Sequence, residues 1–205
     1  IRYGVLDQLT KERIVLEFDK CFDTGMPSVM FKTLHSIGAM DRVLKGLNID
    51  YTTIDNLNKS MTNAERWAYL LTSAFDNKEH AVEWAKTFRL SSESIEIATS
   101  SIMLQQINKV DITSLNILNI WNMLDFKRRQ QKAMSAIKVV DILNNVESSM
   151  PFWKKITDNI QEVDEGKIAQ ACPDKSKLKN IINAARLEKI ERVLEQQKYE
   201  STPTI

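Results

Sequence analysis

Apolar residues return at helical intervals along most of this chain, and this spacing constrains the fold more than any other feature. In the segment KERIVLEFDKCF, the residues Ile14, Phe18, Cys21 and Phe22 keep the i, i+4, i+7, i+8 spacing of one helix face. No segment keeps the sustained alternation of apolar and polar residues that predicts a strand. The 205 residues include five glycines and four prolines, which are few turn formers for a sheet-rich fold. The sequence therefore predicts an all-α protein, an elongated array of about ten helices.

The composition is that of an ordinary globular protein, with 43% hydrophobic and 27% charged residues. Its two cysteines, Cys21 and Cys172, belong to no CxxC or Cys/His cluster, so neither a disulfide framework nor a zinc site is expected. Such isolated cysteines are typical of a reducing compartment, here the cytoplasm, with the mitochondrial matrix as the alternative. No apolar run approaches the roughly 18–20 residues of a membrane span, so we expect no membrane partner.

Residues with the spacing of a catalytic or metal site are scarce. The chain has no glycine-rich phosphate loop, and neither of its two histidines, His35 and His80, lies in an HExxH context. The acidic pairs Asp164–Glu165 and Glu93–Glu96 fit charge at helix ends better than metal ligands. We therefore assign no catalytic residue, no metal ligand and no cofactor to this chain.

Positive charge is concentrated in the C-terminal part of the chain. Residues 126–205 hold 15 Lys and Arg against 11 Asp and Glu, whereas residues 1–125 hold 13 against 16. Between residues 127 and 155 only Asp141 and Glu147 are acidic. The basic residues of the same window are Lys127, Arg128, Arg129, Lys132, Lys138, Lys154 and Lys155.

Three of these cations, Lys127, Arg128 and Arg129, stand together at the start of a predicted helix, where the helix dipole disfavours positive charge. We interpret this unfavourable placement as a sign that an anion offsets it; a solvated charged face is the alternative. The candidate contacts to an RNA phosphate backbone are Lys127, Arg128, Arg129, Lys132, Lys154 and Lys155.

The segments ERIVLEFDKCF and PSVMFKTLHSIGAMDRVL resemble the neck region of class II CCA-adding tRNA nucleotidyltransferases and the related bacterial poly(A) polymerases. In that region a helix opening E-R-I-x-x-E leads through a Pro-Ser corner into a helix that closes at glycine. Arg13 and Glu17 match the charged pair of this motif, which would hold the shape of the neck; a plain surface ion pair is the alternative. The corner and the second helix are matched by Pro27, Ser28, Phe31, Leu34, Ile37 and Gly38.

Further along, NAERWAYLLTSAF and AVEWAKTFRLSSESIEIA resemble the body of the same family, so the ordered series covers roughly residues 10–125. The resemblance implies three helical modules, with a neck at 1–50, a body at 51–148 and a basic tail at 149–205. The family's catalytic head, with its GS loop and metal-binding DxD carboxylates, has no counterpart in this sequence. The nucleotide-selecting E-D-x-x-R of the neck and its R-x-x-R-F neighbour are also missing.

The resemblance implies a chain that binds tRNA and positions its acceptor arm, while a head domain or separate subunit supplies the nucleotide site and its Mg²⁺. The chain is then the C-terminal part of such an enzyme, a subunit that pairs with a separate head, or a relative that keeps only the binding arm. Full CCA addition, partial addition and poly(A) addition all remain open as the parent activity. The alternative is a non-enzymatic helical protein whose apolar helix 112–124 or terminal helix 174–198 docks another protein.

Overall fold

A computed structural model describes residues 8–50, 54, 57, 60–107 and 112–200, with side chains through Gln197. All regular structure in these ranges is helical and no strand occurs there, which confirms the all-α prediction. None of these helices has both the length and the apolar character that a bilayer crossing requires. The first six helices are α1 (Lys11–Asp23), α2 (Pro27–Ser36), α3 (Met40–Val43), α4 (Asn63–Ala74), α5 (Lys78–Thr87) and α6 (Ser92–Ile107). They are followed by α7 (Ser114–Met123), α8 (Phe126–Leu143), α9 (Met150–Gln161), α10 (Glu165–Ala171), a 3-10 turn (Lys175–Lys177) and α11 (Leu178–Glu200).

The chain divides into two compact units, each built from two separate stretches. Unit 1 contains Ile1–Ile107 and Ser135–Ser148, and unit 2 contains Asn108–Met134 and Ser149–Ile205. Helix α8 therefore gives its first half to unit 2 and its second half to unit 1. The neck, body and tail implied by the resemblance have other boundaries and stay a prediction. Residues 51–53, beside the first of those boundaries, lie outside the described residues.

Helix α1 begins and packs as its sequence predicts. The hydroxyl of Thr10 accepts a hydrogen bond from the backbone N–H of Arg13 (3.4 Å), which satisfies one of the free donors at the helix start. After the helix, Gly25 takes a φ of +80°, a conformation that glycine adopts without strain, and Pro27 opens α2. The buried face of α1 consists of the four predicted residues Ile14, Phe18, Cys21 and Phe22.

An aromatic cluster joins α1, α2 and α4 in the core of unit 1. The ring of Phe18 lies 5.1 Å from that of Phe31 and 5.9 Å from that of Trp67, and Phe22 lies 5.4 Å from Trp67. The indole Nε1 of Trp67 donates a hydrogen bond to Oδ1 of Asp19 (2.8 Å). Burial nevertheless raises the pKa of the Asp19 carboxyl above its ordinary value, because a low-dielectric surrounding disfavours its charged form. The cluster therefore fixes α1 on α4 by packing and by one polar contact.

The buried carboxylate of Glu65 joins the start of α4 to the second half of α8. Its Oε2 accepts a hydrogen bond from the backbone N–H of Thr62 (2.9 Å), while the Thr62 hydroxyl caps the N–H of Glu65. The same Oε2 accepts from Nζ of Lys138 (2.8 Å), and Oε1 accepts from the hydroxyl of Ser135 (2.8 Å). One acid thus satisfies donors from two stretches of unit 1.

In unit 2, stacked rings hold the starts of α8 and α9 in place. Phe126 lies 6.4 Å from the ring of Trp121 on α7 and 5.6 Å from that of Trp153 on α9, with nearly parallel planes. Nε1 of Trp121 donates to the buried hydroxyl of Thr157 (3.2 Å). Because Phe126 and Trp153 are buried here, the neighbouring cations on both helices have a rigid base.

Candidate nucleic-acid interface

The three consecutive cations at the start of α8 follow a turn that Asp125 shapes. Asp125 takes a φ of +52°, a left-handed conformation that aspartate tolerates better than most residues. Its carbonyl oxygen accepts from the backbone N–H groups of Arg128 (3.0 Å) and Arg129 (2.8 Å). Its carboxylate accepts from Nε of Arg128 at 3.1 and 2.9 Å, and Nε of Arg129 lies 3.9 Å from Oδ2. The side chain of Arg128 nevertheless remains 80% exposed.

Lys127, the first of the three, is directed to a different acid. Its Nζ donates to Oε2 of Glu165, the first residue of α10, at 2.6 Å. Lys127 and Glu165 also border a cavity of about 180 Å³ that Trp121 lines as well. Two acids of the chain itself, Asp125 and Glu165, therefore supply the anion that the crowded helix start requires.

A groove on unit 2 lies between α8 and α9, and one of the predicted cations, Lys154, lines it. Its volume is about 710 Å³, and it lies between the α8 residues Gln130, Gln131 and Met134 and the first turn of α9. The α9 side consists of Met150, Pro151 and Lys154. The groove thus has an apolar floor, two side-chain amides and one ammonium group. Lys127 does not line it and faces the smaller cavity instead.

The six predicted phosphate contacts differ in how available they are. Lys127, Arg128, Arg129 and Lys154 are exposed, while Lys132 and Lys155 are half-buried. Arg129, Lys132 and Lys155 all engage other groups. Among the described residues, Lys154 has no hydrogen-bond or ion-pair partner. The seventh cation of the window, Lys138, is held by Glu65 and by the carbonyl oxygen of Ser60 (2.6 Å) in unit 1. The available cations are therefore those at the starts of α8 and α9.

The charged pair matched to the neck motif does not join within α1. Glu17 pairs with Lys20 at 3.0 Å, and both side chains are exposed. The guanidinium of Arg13 has no partner in the part of the chain that the structure describes. Other acids of α1 make the polar contacts to the rest of unit 1: Glu12 contacts Arg89 in the α5–α6 connection, and Asp19 and Asp23 accept from Trp67 and Arg66 on α4. A role of Arg13 and Glu17 in the shape of a neck stays a prediction.

The structure adds two residues to the region: Arg186, and Glu165, which the sequence indicates only as helix-end charge. Arg186 on α11 is buried, and one of its N–H groups donates to Glu165 at 2.6 Å. A signal for its burial exists in the sequence, because Arg186, Ile190 and Val193 keep the i, i+4, i+7 spacing of one face. Glu165 carries no such signal, since its acidic neighbour Asp164 caps α10 and the pair looks like ordinary helix-end charge.

We expect the ion pairs of Glu165 to make unit 2 lose stability in acid. The pKa of this carboxyl is lowered below its ordinary value, mainly because Nζ of Lys127 donates a hydrogen bond to it and also because Arg186 does. The contribution is therefore fully present above the unfolded glutamate pKa of about 4.3 and is lost as the pH falls through the lower folded value. Urea denaturation at about pH 6 and about pH 3 should show a larger loss for the wild type than for Glu165→Gln. Parallel losses in the two proteins would contradict this assignment.

Comparison with known proteins yields no match at any of three levels. No protein-family model matches this chain, and neither a curated protein nor a solved structure does. The resemblance to the nucleotidyltransferase neck and body therefore stays a prediction from the quoted motifs. A function is therefore inferred from the charges and contacts of unit 2.

Proposed function

We propose that unit 2 binds the phosphate backbone of tRNA, and that this chain is the tRNA-binding helical part of a tRNA nucleotidyltransferase. The observation that carries the proposal is the set of exposed cations at the start of α8, together with Lys154 beside the groove at the start of α9. Guanidinium and ammonium groups are among the side chains that contact a nucleic-acid phosphate backbone. The excess of basic over acidic residues in 126–205 acts in the same direction.

The ion pair between Arg128 and Asp125 at this surface can exchange for contacts with a phosphate. The Arg128 side chain is largely exposed while it contacts Asp125, and a surface pair of this kind contributes little to stability. A backbone phosphate offers two non-bridging oxygens and one negative charge, as a carboxylate does, so replacing the carboxylate costs little. Asp125 in the meantime holds Arg128 in a fixed position, which reduces the entropy lost on binding.

The activity proposed for the parent enzyme is addition of CCA, or part of it, to the tRNA 3′ end. In this scheme a head domain or subunit, with its Mg²⁺, carries out nucleotide transfer, and the helical part holds the acceptor arm in register. Holding the 3′ end beside the nucleotide lowers the barrier by removing translational and rotational freedom before the reaction. Phosphate contacts position an RNA without reading its bases, so binding should depend on charge and shape rather than on anticodon or acceptor sequence.

We expect the double charge reversal Arg128→Glu with Arg129→Glu to weaken binding of unmodified tRNA by about tenfold or more at low salt. The reason is that two phosphate contacts are replaced by two repulsive ones at the start of α8. Fluorescence anisotropy with labelled tRNA at two salt concentrations measures the effect, and circular dichroism checks that helicity is retained. The wild type should lose affinity steeply as salt is added.

A matched control is Lys32→Glu with Lys86→Glu, which changes the net charge equally on exposed residues of α2 and α5 in unit 1. This variant should bind tRNA nearly as well as the wild type. Lys154→Ala adds a milder test, because this residue lacks an internal partner among the described residues and its removal breaks no ion pair. It should reduce the salt slope by about one. Equal affinities for the wild type and the α8 variant, with helicity intact, would contradict the proposal.

A protein-docking role is the competing function, and one observation favours it. At the entry to α7, Ile112 is 78% exposed and Leu115 is 56% exposed. Two apolar side chains of this kind provide a small contact surface, whereas the rest of the apolar face of α7 is buried within unit 2. Failure of the wild type to bind tRNA at low salt would favour this second function.

A further inference from the structure

The carboxylate of Glu165 bridges two cations that come from different helices of unit 2. Oε2 accepts a hydrogen bond from Nζ of Lys127 on α8, and Oε1 accepts from Nη2 of Arg186 on α11, each at 2.6 Å. Both distances are short, as expected for charge-assisted hydrogen bonds. The two cations therefore converge on a single point, and the chain fills that point with an acid of its own.

Arg186 is held in place by groups other than Glu165. It is 9% exposed, its Nη1 donates to Oδ1 of Asn122 (3.3 Å), and its Cζ lies 5.0 Å from the centre of the Trp121 ring. A cation over an indole face is stabilised by the ring quadrupole. These contacts from α7 would keep the guanidinium in position if the carboxylate left, so the cationic half of the site is preformed.

One donor of this buried guanidinium lacks an acceptor. Nε of Arg186 is buried, and no described residue accepts a hydrogen bond from it. The Nε–H and one Nη2–H of an arginine point in the same direction and form the fork that binds two oxygens of one anion. Glu165 places only one oxygen on this fork, because its other oxygen is used by Lys127. An unsatisfied buried donor is costly, so the present occupant fits the site incompletely.

The helix that carries Glu165 is weakly packed, and space lies beside it. None of the seven residues of α10 is buried. The adjoining cavity, about 180 Å³, is lined by Lys127 and Glu165 together with Trp121 and Gln161. This volume is several times the roughly 30 Å³ that a water molecule occupies in the liquid, so a tetrahedral oxyanion has room beside Lys127 and the Glu165 carboxylate.

We propose that Lys127 and Arg186 form a phosphate-binding site, that Glu165 occupies it in this structure, and that a phosphate group displaces the Glu165 carboxylate. Inorganic phosphate offers at least three acceptor oxygens, enough to satisfy Nζ of Lys127 and both N–H groups of the Arg186 fork at once. A backbone phosphodiester has two non-bridging oxygens, which can accept the two N–H groups of the fork while one of them also accepts from Nζ of Lys127. When phosphate displaces the carboxylate, α10 loses its ion pairs with Lys127 and Arg186. The packing of α10 on the rest of unit 2 therefore depends on whether phosphate is bound. That the phosphate belongs to an RNA backbone rests on the proposed function, whereas the recognition of anionic oxygens by Lys127 and Arg186 applies to free phosphate as well.

The first arm of the test uses inorganic phosphate and the variant Glu165→Gln. Without phosphate, this variant should unfold at a lower temperature than the wild type, because Arg186 and Lys127 have lost their anion. Phosphate should restore the unfolding temperature, while chloride at the same ionic strength should not. The apparent affinity of Glu165→Gln for phosphate should exceed that of the wild type by about tenfold or more, because no carboxylate competes for the site. The double variant Lys127→Ala with Glu165→Gln should lose most of the rescue.

The matched control is Glu162→Gln, which removes another acid of unit 2 that pairs with α11 through Lys189. Phosphate should not rescue this variant beyond the effect seen for the wild type. If Glu165→Gln responds to phosphate no more than Glu162→Gln does, the inference is overturned. The control also separates specific binding from general screening of charge, since both variants lose one negative charge in the same unit.

The second arm measures tRNA binding by the same variants. Glu165→Gln should bind tRNA about tenfold more tightly than Glu162→Gln at low salt. If phosphate rescues Glu165→Gln but no variant binds tRNA, the phosphate site is supported and the proposed tRNA-binding function is contradicted. The opposite outcome is tight tRNA binding that depends on Arg128 and Arg129 but not on Glu165, with no rescue by phosphate. It would support the tRNA-binding function and contradict the phosphate site.

Discussion

The substitution Trp67→Ala is expected to lower the free energy of unfolding of unit 1 by about 4 kcal/mol. The indole is 2% exposed and packs against Phe18 and Phe22 of α1, so its removal leaves a cavity between α1 and α4. It also removes the donor to Asp19, whose charge is already disfavoured by burial. Urea denaturation followed by circular dichroism measures the loss.

The variant Trp67→Phe separates packing from the hydrogen bond. It keeps an aromatic ring in the cluster but has no N–H for the Asp19 carboxylate, so we expect a smaller loss of about 1–2 kcal/mol. If alanine and phenylalanine had equal effects, the ring contacts to Phe18 and Phe22 would contribute nothing. That outcome would contradict the packing described for this unit.

Removing the buried acid of α4 should have an effect of similar size. Glu65→Ala is expected to cost about 3 kcal/mol, because it leaves the Lys138 ammonium, the Ser135 hydroxyl and the Thr62 N–H without their acceptor. Lys138 is partly exposed and can turn toward water, which keeps the expected loss at the lower end for a broken buried pair. The free energy of unfolding from urea denaturation is the measurement.

Two further substitutions set the scale for this result. Glu65→Gln keeps an acceptor for the Thr62 N–H but loses the charge opposite Lys138, so its effect should lie between those of wild type and alanine. Glu79→Ala removes an exposed acid of α5 that lies 3.9 Å from Lys78, and should change stability by less than about 0.5 kcal/mol. Similar losses for Glu65→Ala and Glu79→Ala would show that the α4–α8 network is not stabilising.

The helices of unit 1 could be predicted because their determinants are local. The cap by Thr10, the stripe from Ile14 to Phe22 and the break at Gly25 lie within one short segment, and the structure has all of them. The polar ties between helices could not be predicted in the same way. Glu65 and Lys138 are 73 positions apart, and nothing in either local segment indicates the other. Contacts at such separations depend on how the helices pack.

The candidate interface could be predicted only in part, because some of its contacts join residues that are far apart in the sequence. A count of charges finds the basic window around Arg128, but the acid that pairs with it, Asp125, stands just before that window. Glu165 contacts Lys127 across 38 positions, and only the fold shows that one helix start is neutralised by another. The groove beside Lys154 depends on side chains of α8 and α9 that look unremarkable in the sequence. Charge patterning thus indicates where to look for binding, and packing decides which cations remain available.

Because α8 is divided between the two units, the two stretches of unit 1 are synthesised at different times. Residues up to Ile107 leave the ribosome first, and Ser135–Ser148 follow only after the first stretch of unit 2 has been made. During that interval Glu65 has Thr62 beside it but neither Ser135 nor Lys138. The Glu65 carboxylate therefore lacks two of its partners until Ser135–Ser148 has been synthesised. Partly folded chains of this kind expose apolar surface and are commonly bound by chaperones. A piece that stopped at Ile107 would retain this incomplete state permanently.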